Sequence, residues 1–172
     1  MRHGNIGPNK RNERSARMIL DLLPTYELEA QSHTNSGIVH AVFAARNAQT
    51  IPDALSYFQD NTKFHDYALN LHFDTKDRLA MYLQKIAETF PDGAIQVDEV
   101  LESNETSIAT WTFTAVRELS SHPHQRHVRI VLNGVSIVTF SSGQIVEWRD
   151  YYDALISQRL GLADSFVDWR EY

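Results

Sequence analysis

The chain has 172 residues, enough for one hydrophobic core and short for two ordinary domains, and its 42% hydrophobic and 22% charged shares fit a globular protein. Twenty-two acidic residues against sixteen Lys and Arg give a net charge of −6, so no overall positive field exists to hold a nucleic-acid backbone. The absence of cysteine excludes a disulfide-stapled module, a thiolate nucleophile and a thiolate metal site.

The first residues carry Arg2, Lys10, Arg11, Arg14 and Arg17 against Glu13, so residues 1–14 read as a basic disordered tail on an acidic body. No apolar run approaches the length of a membrane span or a signal-peptide core, and a cytoplasmic location is the expectation. Residues 15–35 form a helical extension that Pro24 interrupts. A helix starts after Ser36, a good N-cap, with Ile38, Val39, Val42, Phe43 and Ala45 in one apolar stripe. Thr50 to Gln59 reads as a short helical connector with Pro52 in its first turn, and Lys63 to Phe73 as an alternating strand. Asp74 to Phe90 repeats Leu79, Tyr82, Leu83, Ile86 and Phe90 at helical spacing, with Asp74 or Thr75 as cap and Pro91-Asp92-Gly93 as stop.

Beyond that stop the period changes to two, and four strands are expected over Ile95 to Ser103, Thr106 to Leu119, Val128 to Phe140 and Gln144 to Tyr152. Asn104-Glu105 and Ser141-Ser142-Gly143 supply turns, and residues 120–127 a longer polar loop. Helices followed by consecutive hairpins point to an α+β fold, with a strongly curved mixed or antiparallel sheet wrapped around about three helices to leave a cone-shaped internal pocket. Residues 163–172 form a C-terminal tail.

Three segments carry a family resemblance: Phe90-Pro91-Asp92 closing the long helix, Thr110-Trp111-Thr112-Phe113-Thr114 in a strand, and Gly143 to Asp153, which reads GQIVEWRDYYD. Residues 36–162 resemble the SnoaL-like branch of the nuclear transport factor 2-like superfamily, which includes polyketide cyclases and limonene-epoxide hydrolase. In the hydrolase the matching Trp-Arg-Asp-Tyr segment holds the acid/base aspartate, which the resemblance places on Asp150, while Asp153 starts the final helix. The tyrosine and asparagine that hold the hydrolase's water fall on Phe64 and Asp66. Its arginine and second aspartate fall on Thr110 and Thr112 or, shifted by one, on Trp111 and Phe113. The catalytic histidine of the cyclases falls near Ser136. The resemblance therefore implies the fold more firmly than the reaction.

Read without the family, alternation puts Phe64, Asp66, Ala68, Asn70 and His72 on one face of the first strand and Tyr67, Leu69, Leu71 and Phe73 on the other. A bulge between residues 62 and 70 would exchange the faces and bring His65 and Tyr67 into the pocket. In the last strand Trp148, Asp150 and Tyr152 share a side opposite Glu147, Arg149 and Tyr151. Burial beside aromatics raises a carboxyl pKa toward working pH, and two neighbouring carboxyls divide into an acid and a base, so Asp150 and Asp66 are the catalytic candidates. The competing readings are an ion pair of Asp150 with Arg149 or Arg129, and a pairing of Asp66 with Lys63 at a strand end.

His40 is either a packed core residue or a catalyst, and Thr110 and Thr112 are candidate pocket walls. His122, His124 and His127 lie in a polar loop, and no metal is expected there. Trp111 and Phe113 pack either into the core or, with Leu69 and Leu71, onto an apolar outer face that predicts a homodimer. No Gly-rich phosphate loop, Gly-x-Ser-x-Gly elbow or His-Glu-x-x-His motif occurs. The expectation is a cofactor-independent cyclase or isomerase acting on a hydrophobic polyketide- or terpenoid-like molecule in natural-product biosynthesis. Epoxide hydrolysis comes second, and a non-catalytic binding or dimerisation module is the alternative of a different class.

Overall fold

A computed structural model describes residues 34–119 and 126–155 of the chain. The basic tail, nearly all of the 15–35 extension, His122, His124, the His127 side chain, residues 156–162 and the 163–172 tail lie outside the described residues. Helix α1 (Asn35–Asn47) is capped by Thr34 rather than Ser36: the Thr34 hydroxyl accepts from Gly37 N at 2.9 Å. The Ser36 amide donates instead to Glu102 Oε2 at 3.0 Å. Ile38, Val39, Val42, Phe43 and Ala45 form its buried stripe. Helix α2 (Ile51–Leu55) ends early, because strand β1 (Phe58–Asp66) already begins at Phe58, five residues before the expected Lys63.

The expected strand from Lys63 to Phe73 is in fact two strands joined by a turn. Strand β1 stops at Asp66, Asn70 takes a positive φ of 56°, and β2 (Leu71–Phe73) returns antiparallel with Phe64 opposite Phe73. The turn resets the alternation, so Phe64 and Asp66 point inward together with Leu71 and Phe73, while Asn70 and His72 are exposed. The bulge that would carry His65 and Tyr67 inside does not occur either; Tyr67 is on the outer face, stacked on Tyr151 at 4.6 Å.

Helix α3 (Lys76–Thr89) is capped by Thr75 and buries Leu79, Tyr82 and Leu83. Strands β3 (Ala94–Ser103), β4 (Thr106–Leu119), β5 (Arg126–Ser141) and β6 (Gln144–Tyr152) follow as consecutive hairpins. The six strands run in the order β2-β1-β6-β5-β4-β3, with β1 parallel to β6 and the remaining pairs antiparallel. Helix α1 packs against β3 and β4, and α3 against β1 and β2, so this is an α+β fold with a mixed sheet curved around three helices.

The centre of the core is Trp148, fully buried, with Phe43 edge-on at 5.3 Å and Phe58 at 5.9 Å. Leu69, Leu71 and Trp111 are buried and Phe113 packs against the core, so these four form no outer apolar patch and lend no support to a homodimer. Trp111 can lie flat over β5 because the residue opposite it is Gly134; a Cβ there would stand 2.3 Å from the indole ring. None of the helices among the described residues is long and apolar enough to cross a membrane.

Candidate functional site

Asp66 and Asp150 are register partners on the parallel strands β1 and β6, which sets their side chains side by side on the inner face of the sheet. Both are buried, with 1% and 4% exposure. Among the described residues Asp150 makes no ion pair, with Arg149 and Arg129 included. Its Oδ1 accepts from Ser136 Oγ at 2.5 Å and from Trp148 Nε1 at 2.6 Å, and Ser136 in turn accepts from Trp111 Nε1 at 2.8 Å. One indole and a hydroxyl thus hold Oδ1, a second indole supports that hydroxyl, and Asp150 borders the cavity.

Asp66 is engaged at both oxygens. Oδ1 accepts from Leu69 N at 2.9 Å, which closes the β1–β2 turn, and Oδ2 accepts from the phenols of Tyr82 at 2.7 Å and Tyr152 at 2.8 Å. Burial and then the neighbouring Asp150 charge push the Asp66 pKa up to about 6, against the three donors that favour its ionised form. Burial also raises Asp150, opposed first by the positive charge of Arg46 and then by Ser136 and Trp148. Tyr82 is held well above the ordinary phenol range by burial and by the Asp66 charge.

Both carboxyls open on a mainly apolar cavity of about 50 Å³ between the sheet, α1 and α3, whose polar wall also includes Arg46, Tyr82 and Tyr152. A second cavity of about 30 Å³ adjoins it toward the C-terminal end of α1. Two raised carboxyls bordering one cavity can exchange a proton with a bound molecule.

The other sequence candidates divide by parity. Tyr152 lines the cavity, and Trp148 lies behind it as a donor to Asp150. Phe64 is core, packed on Phe73 and Tyr82, rather than cavity wall. Trp111 and Phe113 are the inward pair of β4, so Thr110 and Thr112 do not reach the cavity; Thr112 bonds Asp98 and Asn133 instead. His40 is exposed on α1, neither core nor site. His65 and His72 meet on the outer face, Nδ1 to Nδ1 at 2.8 Å, and His65 is held below its ordinary value by burial and by His72. Asp153 accepts from Leu155 N at 2.8 Å where the chain turns helical. Among the described residues no cluster of three or more metal-ligating side chains is present.

Arg46, Tyr82, Ser136 and the indole of Trp111 as a donor are the participants that sequence reasoning missed. Of these only Tyr82 carries a local signal, since it sits among leucines on the buried side of α3; Trp111 and Ser136 are brought together by the β4–β5 register, in which Gly134 is opposite Trp111 and Ser136 opposite Ala109.

The SnoaL-like domain family matches residues 39–148. No curated protein matches the chain. Among solved structures, a protein named a SnoaL-like polyketide cyclase from Shewanella denitrificans is 12% identical with a TM-score of 0.61, over 71% of this chain and 92% of its own. AclR from Streptomyces galilaeus, named a hydroxylase, is 17% identical with a TM-score of 0.59, over 79% of this chain and 85% of its own. TerC, co-crystallised with polyporic acid, is 16% identical with a TM-score of 0.60, over 72% of this chain and 94% of its own. At these identities the likeness is one of fold.

Proposed function

Because the chain belongs to the SnoaL-like domain family over residues 39–148, we propose that it is a cofactor-independent acid/base enzyme, a cyclase or isomerase acting on an apolar small molecule. The strongest support is the Asp150 carboxyl, fixed through Oδ1 by Ser136 and Trp148 and bordering a mainly apolar cavity. Asp150 takes a proton from carbon beside a carbonyl group and returns it elsewhere on the skeleton, which moves a double bond; where the carbanion instead attacks a second carbonyl carbon, a ring closes and the alkoxide formed takes the proton from Asp150. Asp66 positions the Tyr152 phenol, and burial together with the Asp150 charge raises its own carboxyl so that it can hold a proton beside Asp150. A neighbour named a polyketide cyclase and another co-crystallised with polyporic acid agree with a substrate of this kind.

Epoxide opening has less support, since the inward positions of β4 are Trp111 and Phe113 rather than an arginine and an aspartate. The test is deuterium incorporation from D2O into a panel of bicyclic ketones, followed by NMR. Exchange catalysed by the wild type and lost in Asp150→Asn is the expected result. Equal exchange by both proteins across the panel would leave a binding module as the better description.

A further inference from the structure

Arg46, Ile86, Phe90, Ile95 and Phe113 border both cavities, which are therefore neighbouring compartments with a shared apolar wall and one cation in it. The guanidinium lies over the Phe43 ring at 5.5 Å, and Arg46 is half-buried. Its five N–H donors make no hydrogen bond or ion pair with any described residue. The polar side chains nearest it in sequence are already committed. Asn47 bonds both the N–H and the carbonyl of Ile95, each at 2.7 Å, and Gln49 donates to Pro91 O at 2.9 Å. Asp150 feels the charge of Arg46 but stands outside ion-pair distance.

A planar, permanently charged fork of donors, set in an apolar wall and unmatched among the described residues, fits the two oxygens of a carboxylate. We propose that the ligand of this cavity is an apolar acid, and that Arg46 selects it by pairing with its carboxylate while the carbon skeleton lies along Ile86, Phe90 and Phe113. This deepens the proposed function and rests on it for the location of the site, but it names a substrate class and a selecting residue that the acid/base reading does not require.

The test compares 2-naphthoate with the uncharged 2-naphthamide by calorimetry on the full chain at neutral pH. The wild type should bind the acid at least about tenfold more tightly than the amide. Arg46→Met should erase that difference and keep the affinity for the amide, while Arg46→Lys, a point charge without the fork, should retain part of it. Equal affinity for the two ligands, failure of the wild type to bind either, or a preference that survives in Arg46→Met overturns the proposal. The wild-type comparison stands even if a variant does not fold. Failure of the acid/base reading gives a different result, namely ketone exchange unchanged in Asp150→Asn while the acid preference is intact.

Discussion

Strands β1 and β6 carry ionisable groups on both faces, and the two faces treat them differently. Outside, His65 stands 3.6 Å from Glu147 and Arg149 reaches the same carboxylate at 3.6 Å, and on the adjoining β2 His72 pairs with Asp74 at 2.7 Å, all on partly exposed side chains. Inside, one residue along each strand, Asp66 and Asp150 have lost water, have each other as neighbours and are held by phenols, indoles and a hydroxyl. Water screens the outer pairs, so they contribute little. The inner carboxyls have no such screen, and both are driven toward protonation, which makes them usable for proton transfer and costly to bury.

The largest expected effect is on the inner face: Asp150→Asn should lower any catalysed proton transfer by about 10² to 10⁴-fold with ligand affinity nearly unchanged, measured as kcat and KM on the responding ketone. Next comes stability against pH. The Asp66 carboxyl has an ordinary value of 3.8 and a folded value of about 6, so between those pH values the folded chain binds more protons than the unfolded one. Stability therefore falls as pH rises through that window, by about 3 kcal/mol for this group, and Asp66→Asn should flatten the urea-denaturation profile there. Gly134→Ala drives a Cβ into the Trp111 ring and should cost about 1–3 kcal/mol. It should also disturb the Trp111–Ser136–Asp150 bonds, visible as a change in tryptophan fluorescence. The smallest effect belongs to the outer face, where Glu147→Gln should change stability by less than about 1 kcal/mol; a larger loss would erase the contrast between the faces.

The parts of the fold legible in the sequence were those with an unbroken period. Helix α3 and strand β6 keep their spacing from end to end, and β6 places Trp148 and Asp150 on the side its alternation implies. The first strand was misread because Tyr67, Leu69, Leu71 and Phe73 continue the alternation straight through a turn. Only the Asp66 bond to Leu69 N and the left-handed Asn70 reveal that the chain reverses. Phe58 fitted a helical spacing with Leu55 and so concealed the start of β1. Arg46 occupies the last turn of α1, where a cation is expected on electrostatic grounds alone, and nothing local distinguishes one that faces a cavity from one that faces water. The inward parity of Trp111 depends on its pairing with Gly134, a contact 23 residues away in the chain that periodicity within one strand does not encode.

The most direct measurement is a ¹³C NMR titration of the Asp66 and Asp150 carboxyls, assigned with the two Asn variants. Two transitions above the ordinary aspartate range are expected, that of Asp66 near 6, with Asp150→Asn lowering the Asp66 midpoint. If both titrate near 3.8, independently of each other, the inner face is no different from the outer one and the acid/base reading fails.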